Sequence, residues 1–285
     1  MKIVYMLTDE CNSNCFHCYK KRWGRRRELC DSLKDIENLL QEGHEIIVAG
    51  AEVLLNPELL EIYKMVGQKY VLSNGILLAV DIKNFDSLIV NGINKIRISW
   101  HIGFQEKLNS ILEWIIKKAI KNAQKIGFSV QINCIINNGN YLHIQEIINS
   151  VLKNNIRELR FLQFLPIRKD LIKFQLTKEQ KYEFLRSVEK VRGEYAKNKL
   201  CISLHANFSP TLSKKSLAAQ QHGLFCPAGK SFAVIETDNK IYPCPFLNEE
   251  RYCIGLFQKG RVLINREISN PGKVCLAEKT YCKNH

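Results

Sequence analysis

Short runs of apolar and β-branched residues alternate with longer amphipathic stretches through the first two thirds of the chain. Six of these runs have the length and composition of β-strands. They are Ile3–Leu7, Glu45–Ala49, Tyr70–Ser73, Lys95–Trp100, Ser129–Ile136 and Glu158–Phe164.

The stretches between these runs predict helices. After the first run, Leu33, Ile36 and Leu39 recur at helical spacing, with Asp31 and Ser32 as candidate N-caps. Pro57 suits the first turn of a helix that extends to about residue 66. We expect further helices near 82–90, 105–126 and 140–153.

Six strand–helix units in sequence imply parallel strands joined by right-handed crossovers. The predicted fold class is therefore α/β, either a closed or partly closed barrel or an open sheet. In such folds the active site lies at the carboxyl ends of the strands. The segment that follows the first strand should lie on that face.

Composition and charge narrow the functional classes. The 285 residues are 46% hydrophobic and 25% charged, which is typical of a globular protein, and no apolar run approaches the length of a membrane span. We expect a cytoplasmic protein with no membrane partner. A net charge of +14 favours acidic partners or nucleic acid. The sharpest basic run, 20–27, predicts either a rim that meets an acidic substrate or a solvated loop.

The eleven cysteines cluster at the two ends of the chain, with three before residue 20 and five after residue 225. Without a signal peptide, this pattern favours metal clusters in a reducing compartment over disulfides. Cys11, Cys15 and Cys18 can supply three ligands to a 4Fe-4S cluster and leave one iron open. A zinc site with His17 as fourth ligand is the alternative. Cys30, Cys134 and Cys201 are interpreted as buried small hydrophobes.

The spacing of Cys11, Cys15 and Cys18, with His17 before the last cysteine and Tyr19 after it, resembles the radical S-adenosylmethionine (SAM) enzymes. The resemblance covers roughly residues 1–165 and implies a partial (β/α)6 barrel of the TIM type. It also implies a cofactor, SAM, that chelates the open iron and is cleaved to methionine and a 5′-deoxyadenosyl radical. That radical would abstract hydrogen from an unactivated carbon of the substrate.

Two strand-end segments resemble cofactor-binding motifs of the same family. Gly50, Ala51 and Glu52 correspond to its Gly-Gly-Glu-Pro segment, which receives the methionyl ammonium, although Ala51 replaces the second glycine. Ser73 and Asn74 are similar to a polar turn that contacts ribose or carboxylate. An ordinary Asn-Gly turn accounts for this second segment equally well.

Polar side chains also recur at two-residue spacing on the fourth and fifth strands. We interpret Ser99, Gln131 and Asn133 as cofactor or substrate contacts, with satisfied interior polar groups as the alternative. Arg97 is expected to be paired and structural. Cys134 falls on the opposite face of the fifth strand, which helices should cover.

The C-terminal cysteines accompany a predicted hairpin, in which two short strands flank Asp238-Asn239 and lead into Tyr242-Pro243-Cys244. This resembles the SPASM/twitch extension, so we divide the chain into a barrel with a bridging helix (1–200) and an iron–sulfur domain (201–285). The resemblance implies one auxiliary 4Fe-4S cluster on Cys226, Cys244, Cys275 and Cys282. Cys253 is spare, either a hydrogen-atom donor to the substrate radical or inert. A zinc ribbon is the structural alternative.

The resemblance implies an enzyme. Because of the basic excess and the extension, we favour a ribosomally made peptide as its substrate, and the basic excess favours an acidic one. Crosslinking, epimerisation or another C–H functionalisation would all suit this class. An electron donor such as flavodoxin or ferredoxin would be a partner. A small-molecule radical dehydrogenase is the alternative enzyme. A non-catalytic iron–sulfur or zinc protein that binds nucleic acid is the alternative of another class, but no familiar nucleic-acid module supports it.

Overall fold

The computed structural model describes residues 1–20, 24–82, 85–103, 111–195, 199–205, 207–208, 226–268 and 275–281. Strands and helices alternate as the sequence predicts. The strands of the first part are β1 Lys2–Met6, β2 Glu45–Ala49, β3 Tyr70–Ser73, β4 Lys95–Ser99, β5 Ser129–Ile136, β6 Glu158–Gln163 and β7 Cys201–Leu204. The helices are α1 Leu29–Gln41, α2 Leu59–Val66, α3 Ile76–Val80, α4 Asp86–Val90, α5 Glu113–Lys125, α6 Ile144–Lys153, α7 Lys178–Tyr195 and α8 Leu276–Tyr281.

All pairings among β1 to β7 are parallel. β1 pairs with β2, and β3 to β7 form a five-stranded sheet in sequence order. The curled parallel sheet with helices on its outer face confirms the predicted α/β fold of a partial barrel. Successive side chains of each strand alternate between the face that the helices cover and the interior face. Ile96, Ile98 and Trp100 share one of these faces and are fully buried.

β2 and β3 belong to different sheets, and a side chain joins them. The Gln68 amide accepts a hydrogen bond of 2.8 Å from the backbone N–H of Val48 and donates one of 3.1 Å to its carbonyl. A second donation, of 2.9 Å, reaches the carbonyl of Tyr70 at the start of β3. The Gln68 side chain therefore satisfies backbone groups that a strand neighbour would otherwise bond.

Four predicted helix starts are wrong. α2 begins at Leu59 with Glu58 at its N-cap, so Pro57 precedes the helix instead of lying in its first turn, and the helix expected near residue 140 begins at Ile144. α1 begins three residues earlier than expected, with Glu28 at the N-cap, so Asp31 lies in its first turn. An acidic residue there is favourable beside the helix N-terminus without capping it. The helix expected near 82–90 is shorter, beginning at Asp86, and α3 precedes it because Asp81 is extended and ends α3.

The C-terminal strands continue the sheet beyond β1. β8 Phe232–Ile235 pairs parallel with β1, and β9 Lys240–Tyr242 pairs antiparallel with β8. The predicted hairpin is confirmed, with Asn239 at φ +64° in its turn. β10 Gly255–Gln258 and β11 Arg261–Ile264 complete a six-stranded sheet. Within the described ranges, every helix is too short or too polar to cross a membrane.

Candidate active site

The first three cysteines lie on the loop that leaves the carboxyl end of β1. All three are half-buried, and the backbone N–H of Cys18 donates a hydrogen bond of 3.1 Å to the carbonyl of Cys15. Ser13 Oγ lies 3.2 Å from Cys15 Sγ. The loop thus presents three thiols at the end of the barrel where the sequence predicts the site.

The segment after β2 runs beside this loop. Ala51 N–H donates to the Thr8 carbonyl at 2.9 Å, and Glu52 N–H donates to the Glu10 carbonyl at 3.0 Å. A Cβ on Gly50 would lie 2.9 Å from Thr8 Cγ2 and 3.2 Å from the Thr8 carbonyl. Glycine at position 50 therefore allows the two strand extensions to approach this closely.

Glu52 is a buried carboxylate surrounded by donors. It accepts hydrogen bonds from the backbone N–H groups of Asn74 (2.7 Å) and Leu54 (3.2 Å), and from the Ser73 hydroxyl. Burial raises the pKa of Glu52 to about 7, although these hydrogen bonds act in the opposite direction. It forms no ion pair with any residue of the described ranges.

Asn74 connects Glu52 to the cysteine loop. Its side-chain Nδ2 donates to Asn12 Oδ1 at 2.8 Å and to Cys11 Sγ at 3.6 Å. Its Oδ1 accepts from the backbone of Ile76 at 2.9 Å. The ends of β1, β2 and β3 therefore meet in one hydrogen-bonded arrangement at Asn74.

His17, on the same loop, lies against a second histidine, His101. The His17 ring is 5.3 Å from the His101 ring, at an interplanar angle of 80°. His101 is buried, and its Nδ1 accepts a hydrogen bond of 3.3 Å from the backbone of Ile135. Burial, and then the neighbouring His17, lower the pKa of His101 well below its ordinary value. Both the lowered pKa and the accepting Nδ1 favour the neutral ring with its proton on Nε2.

The polar positions of β4 and β5 share the interior face of the sheet. The strand register places Gln131 beside Arg97 and Asn133 beside Ser99. Gln131 Oε1 and Asn133 Oδ1 are buried acceptors that lack a hydrogen-bond partner among the described residues. Arg97 lies over the Tyr70 ring at 3.7 Å. The two free acceptors suit a ligand that carries N–H or O–H groups.

Three of the C-terminal cysteines converge. Cys226, Cys244 and Cys275 pack in a small apolar cluster with Leu247 and other side chains, and Cys275 is hydrogen-bonded to Cys226. Burial raises the pKa of Cys244 to about 12. The fourth predicted ligand, Cys282, lies outside the described residues.

Cys253 is not among the side chains of this cluster. Its Sγ donates to the Gly255 carbonyl at 3.2 Å, and its neighbours include Lys240 and Tyr242. In the described part of the chain no group of three or more His, Cys, Asp or Glu side chains is placed to hold one metal ion. A zinc site needs its ligands around one metal atom, whereas each thiolate of a 4Fe-4S site binds a different iron, so cluster ligands need not meet at one point.

The remaining cysteines divide into one confirmed and two wrong predictions. Cys134 is buried on the helix-covered face of β5, and burial raises its pKa to about 12. Cys30 and Cys201 are exposed, contrary to expectation. Cys30 is the second residue of α1, and Cys201 is the first residue of β7, the last strand of its sheet. Neither position is covered by another helix or strand of the described residues.

In its described part, the basic run is engaged largely within the fold. Lys20 is buried in ion pairs with Asp9 and Glu236. Arg26 pairs with Glu10, and Arg27 pairs with Asp35 and lies over Tyr5. Residues 21–23 fall outside the described ranges. Three of its cations thus hold the structure together instead of facing a partner.

Sequence reasoning missed the buried polar group around Lys20. Glu236 and Asp9 are its partners, and Thr237 donates a hydrogen bond to Asp9. The available signal is that Asp9 and Glu236 each end a buried apolar strand, where an unpaired carboxylate would be costly. Their partner cannot be chosen from spacing, since Lys20 and Glu236 are 216 residues apart.

No protein-family model matches the chain. It is 26% identical over 289 residues to GTP 3′,8-cyclase of Staphylococcus epidermidis, which spans 86% of this chain and 78% of the cyclase. The fold is similar to native anSMEcpe with bound AdoMet, with a TM-score of 0.70, 17% identity, and coverage of 91% and 79% of the two chains. It is also similar to Streptococcus suis SuiB bound to precursor peptide SuiA, with a TM-score of 0.66 and 15% identity. That match covers 98% of this chain and 64% of SuiB.

The three-cysteine loop at the carboxyl end of β1, the acidic strand end of β2 and the partial barrel agree with these similarities. They also agree with the resemblance to the radical S-adenosylmethionine enzymes that the sequence motifs carry.

Proposed function

We propose that this protein is a radical SAM enzyme that binds a 4Fe-4S cluster and SAM at the Cys11–Cys18 loop, cleaves SAM reductively and modifies a peptide. The observation that carries the proposal is the buried Glu52 carboxylate, which has donors on two sides, no ion-pair partner in the described residues and a link through Asn74 to the cysteine loop. A carboxylate in this state is stabilised when a cation arrives. The methionyl ammonium of SAM is such a cation.

The residues present fit these groups. Cys11, Cys15 and Cys18 are half-buried thiols on one loop, which suits thiolates that must reach a cluster and still leave one iron open to a ligand. When bound, the cluster and SAM supply a one-electron cleavage that yields the hydrogen-abstracting species. The chain itself orients the ammonium through Glu52 and offers Gln131 Oε1 and Asn133 Oδ1 as acceptors for ligand N–H or O–H groups.

Cys226, Cys244, Cys275 and Cys282 are proposed as ligands of one auxiliary 4Fe-4S cluster. The convergence of the first three supports this part of the proposal. Cys253 is then the spare thiol, because it lies with Lys240 and Tyr242 instead.

A peptide substrate is supported by two fold neighbours. SuiB is described with its precursor peptide SuiA, and anSMEcpe with a peptide, Kp18Cys. The net charge of +14 favours an acidic peptide. An electron donor such as flavodoxin or ferredoxin would complete the reaction, and a cytoplasmic location stays a prediction of the sequence. The similarity to GTP 3′,8-cyclase favours a second candidate, a small-molecule enzyme that acts on a nucleotide.

Anaerobic reconstitution followed by detection of 5′-deoxyadenosine tests the core of this proposal. We expect the wild-type protein to form it, and the Cys11→Ala/Cys15→Ala/Cys18→Ala variant to lose it together with about half of the iron. Cys30→Ala is the matched control, since Cys30 is exposed and should change neither. Formation of 5′-deoxyadenosine by the triple variant would disprove the site.

Substrate class is tested separately. Peptides encoded by short reading frames next to the gene, and GTP, are each incubated with the reduced enzyme, SAM and solvent deuterium. A mass change in a peptide supports the first candidate. Conversion of GTP alone, followed as a new chromatographic product because a cyclisation can leave the mass unchanged, supports the second and overturns the peptide assignment.

A further inference from the structure

The residues that directly follow the third cysteine lie against the C-terminal segment. The Tyr19 ring is 4.9 Å from the Phe246 ring. The Asn248 side chain donates a hydrogen bond of 2.8 Å to the Tyr19 carbonyl. Cys18 itself contacts the residues that follow it, since its Sγ lies 3.9 Å from the Lys20 carbonyl.

The other side of this contact is built on the second cysteine group. Phe246 packs against the apolar cluster that contains Cys244, and Leu247 N–H donates to the Cys244 carbonyl at 3.0 Å. The Tyr281 hydroxyl donates to the Phe246 carbonyl at 2.8 Å. The position of Phe246 therefore depends on how Cys244 is held.

A buried ion pair fixes the two segments at a second point. Lys20 contacts Asp9, just before the first cysteine, and Glu236, at the end of β8. Side-chain exposure is 5% or less at all three residues. Burial raises the pKa of Tyr19, and the nearby Cys18, Glu236 and Cys244 add to the rise, which agrees with their closeness.

We infer that Tyr19, through its contacts with Phe246 and Asn248, is a positioning residue by which occupation of the C-terminal cysteine group stabilises the cluster bound at the Cys11–Cys18 loop. The inference rests on the proposed function, because it requires iron at both cysteine groups. The contact of Tyr19 with Phe246 and Asn248 would then couple the two cysteine groups, which the ligands of neither group do alone.

The physical basis is linkage between two binding events. Metal binding at Cys226, Cys244 and Cys275 restrains the backbone that carries Phe246 and Asn248. Those two residues hold the Tyr19 ring and carbonyl, and hence the last turn of the cysteine loop. Because coupling free energy is reciprocal, iron at the first site must equally favour iron at the second. Couplings of this kind usually amount to roughly 5- to 150-fold.

A double-mutant cycle on the full-length holoprotein tests the inference. One arm is Cys226→Ala/Cys244→Ala/Cys275→Ala, and the other is Tyr19→Leu/Asn248→Ala. Total iron is counted in each protein. The rate at which an iron chelator removes the first cluster is then measured from the decay of its SAM-responsive EPR signal. Tyr19→Phe is the matched control, because it keeps both the ring and the backbone carbonyl that make the contacts.

We expect the cysteine arm to halve the iron and to speed loss of the first cluster at least about 5-fold. In the Tyr19→Leu/Asn248→Ala background the same cysteine changes should alter that rate less than about 2-fold. Tyr19→Phe should behave as wild type. Asn248→Ala alone, which removes a single hydrogen bond, should reduce the coupling in part and provides the test if the double variant does not fold.

Equal acceleration in both backgrounds would overturn the inference, because the contact would then add nothing to the coupling. So would halved iron with no acceleration at all. If the cysteine arm leaves total iron unchanged, the auxiliary cluster of the proposed function is wrong and the inference fails with it. The iron count in the same samples separates this result from the other two.

Discussion

The carboxylate of Glu52 accepts a hydrogen bond of 2.7 Å from the backbone N–H of Asn74. This bond joins the end of β2 to the end of β3, two strands that belong to different sheets. Gln68 makes a second link between the two strands, from Val48 near the end of β2 to Tyr70 at the start of β3. Glu52 therefore serves the fold as well as the proposed site, and its protonation should affect both.

The affinity for SAM should depend on the ionisation of Glu52. Its pKa of about 7 means that the ligand-free carboxyl is mostly protonated at pH 6, whereas an ammonium ligand requires the carboxylate. We expect the dissociation constant for SAM to rise about tenfold for each pH unit below about 7. Anaerobic calorimetry between pH 5.5 and 8.5 measures this.

The Glu52→Gln variant completes that test. At pH 8 it should bind SAM about 10- to 100-fold more weakly, because a charge-assisted hydrogen bond is lost, and its affinity should no longer vary with pH through this group. Both clusters should remain. Glu61→Gln, an exposed acid on α2, is the control and should behave as wild type. Wild-type affinity in Glu52→Gln would rule out the role of this carboxylate.

The same group should make the ligand-free protein less stable as pH rises. Its folded pKa of about 7 is higher than the value of about 4.3 for an unfolded glutamate, so the folded state binds more protons between these values. Stability is then fully present below the unfolded pKa and is lost as pH rises through the folded one. Between pH 5 and 8 the loss from this group is roughly 2–3 kcal/mol.

Urea unfolding of apo wild type and apo Glu52→Gln at pH 5 and pH 8 measures that contribution. The difference between the two proteins should shift in favour of the variant at pH 8. A difference that is the same at both pH values would show that the pKa of Glu52 is not raised.

The fold could be read from the sequence because strand signals are local. Runs such as Ser129–Ile136 are rich in β-branched and apolar residues and have the same bounds in the structure as predicted. Helix starts were less predictable. Asp31 has the chemistry of an N-cap, yet it lies inside α1, where its charge favours the first turn.

The site likewise has a part that could be predicted from the sequence and a part that could not. Cys11, Cys15 and Cys18 are close in sequence, so their grouping is visible before folding. The fate of the basic run is not visible, because burial of Lys20 and Arg27 depends on Glu236 and Tyr5, which the fold brings from elsewhere in the chain. Charge spacing alone describes a solvated segment or a binding rim, and it says nothing of distant carboxylates.

Lys20→Met should be strongly destabilising. Removing the ammonium leaves Asp9 and Glu236 as buried carboxylates without their cation, and breaking such a pair costs about 3–5 kcal/mol. Chemical unfolding of the apo-protein measures the loss. Lys2→Met is the matched control, because Lys2 pairs with Glu45 at an exposed site, and it should cost less than about 1 kcal/mol. Equal effects of the two substitutions would contradict the burial of Lys20.

Gly50→Ala should destabilise the protein by about 1–3 kcal/mol, since the new methyl group would lie 2.9 Å from Thr8 Cγ2 and 3.1 Å from Val53 Cγ1. Thr8 is fully buried and cannot move aside freely. In contrast, a Cβ on Gly193 in α7 meets nothing within 4 Å, so Gly193→Ala should stabilise by about 0.5–1 kcal/mol. Thermal or urea unfolding compares the two, and a neutral Gly50→Ala would contradict the close approach of the β1 and β2 extensions.

Cys253 and Cys226 should respond differently to replacement by alanine. Cys226 is hydrogen-bonded to Cys275 within the converging thiol group, so Cys226→Ala should lose several irons per chain. Cys253 bonds to the Gly255 carbonyl away from that group, so Cys253→Ala should keep the full iron content. Iron analysis after anaerobic reconstitution decides this, and loss of iron in Cys253→Ala would make it a ligand.

If Cys253 donates hydrogen to a substrate radical, the Cys253→Ala variant should still form 5′-deoxyadenosine while solvent deuterium no longer enters the peptide. Unchanged product would exclude that role and favour an oxidation such as crosslinking, which needs no hydrogen donor.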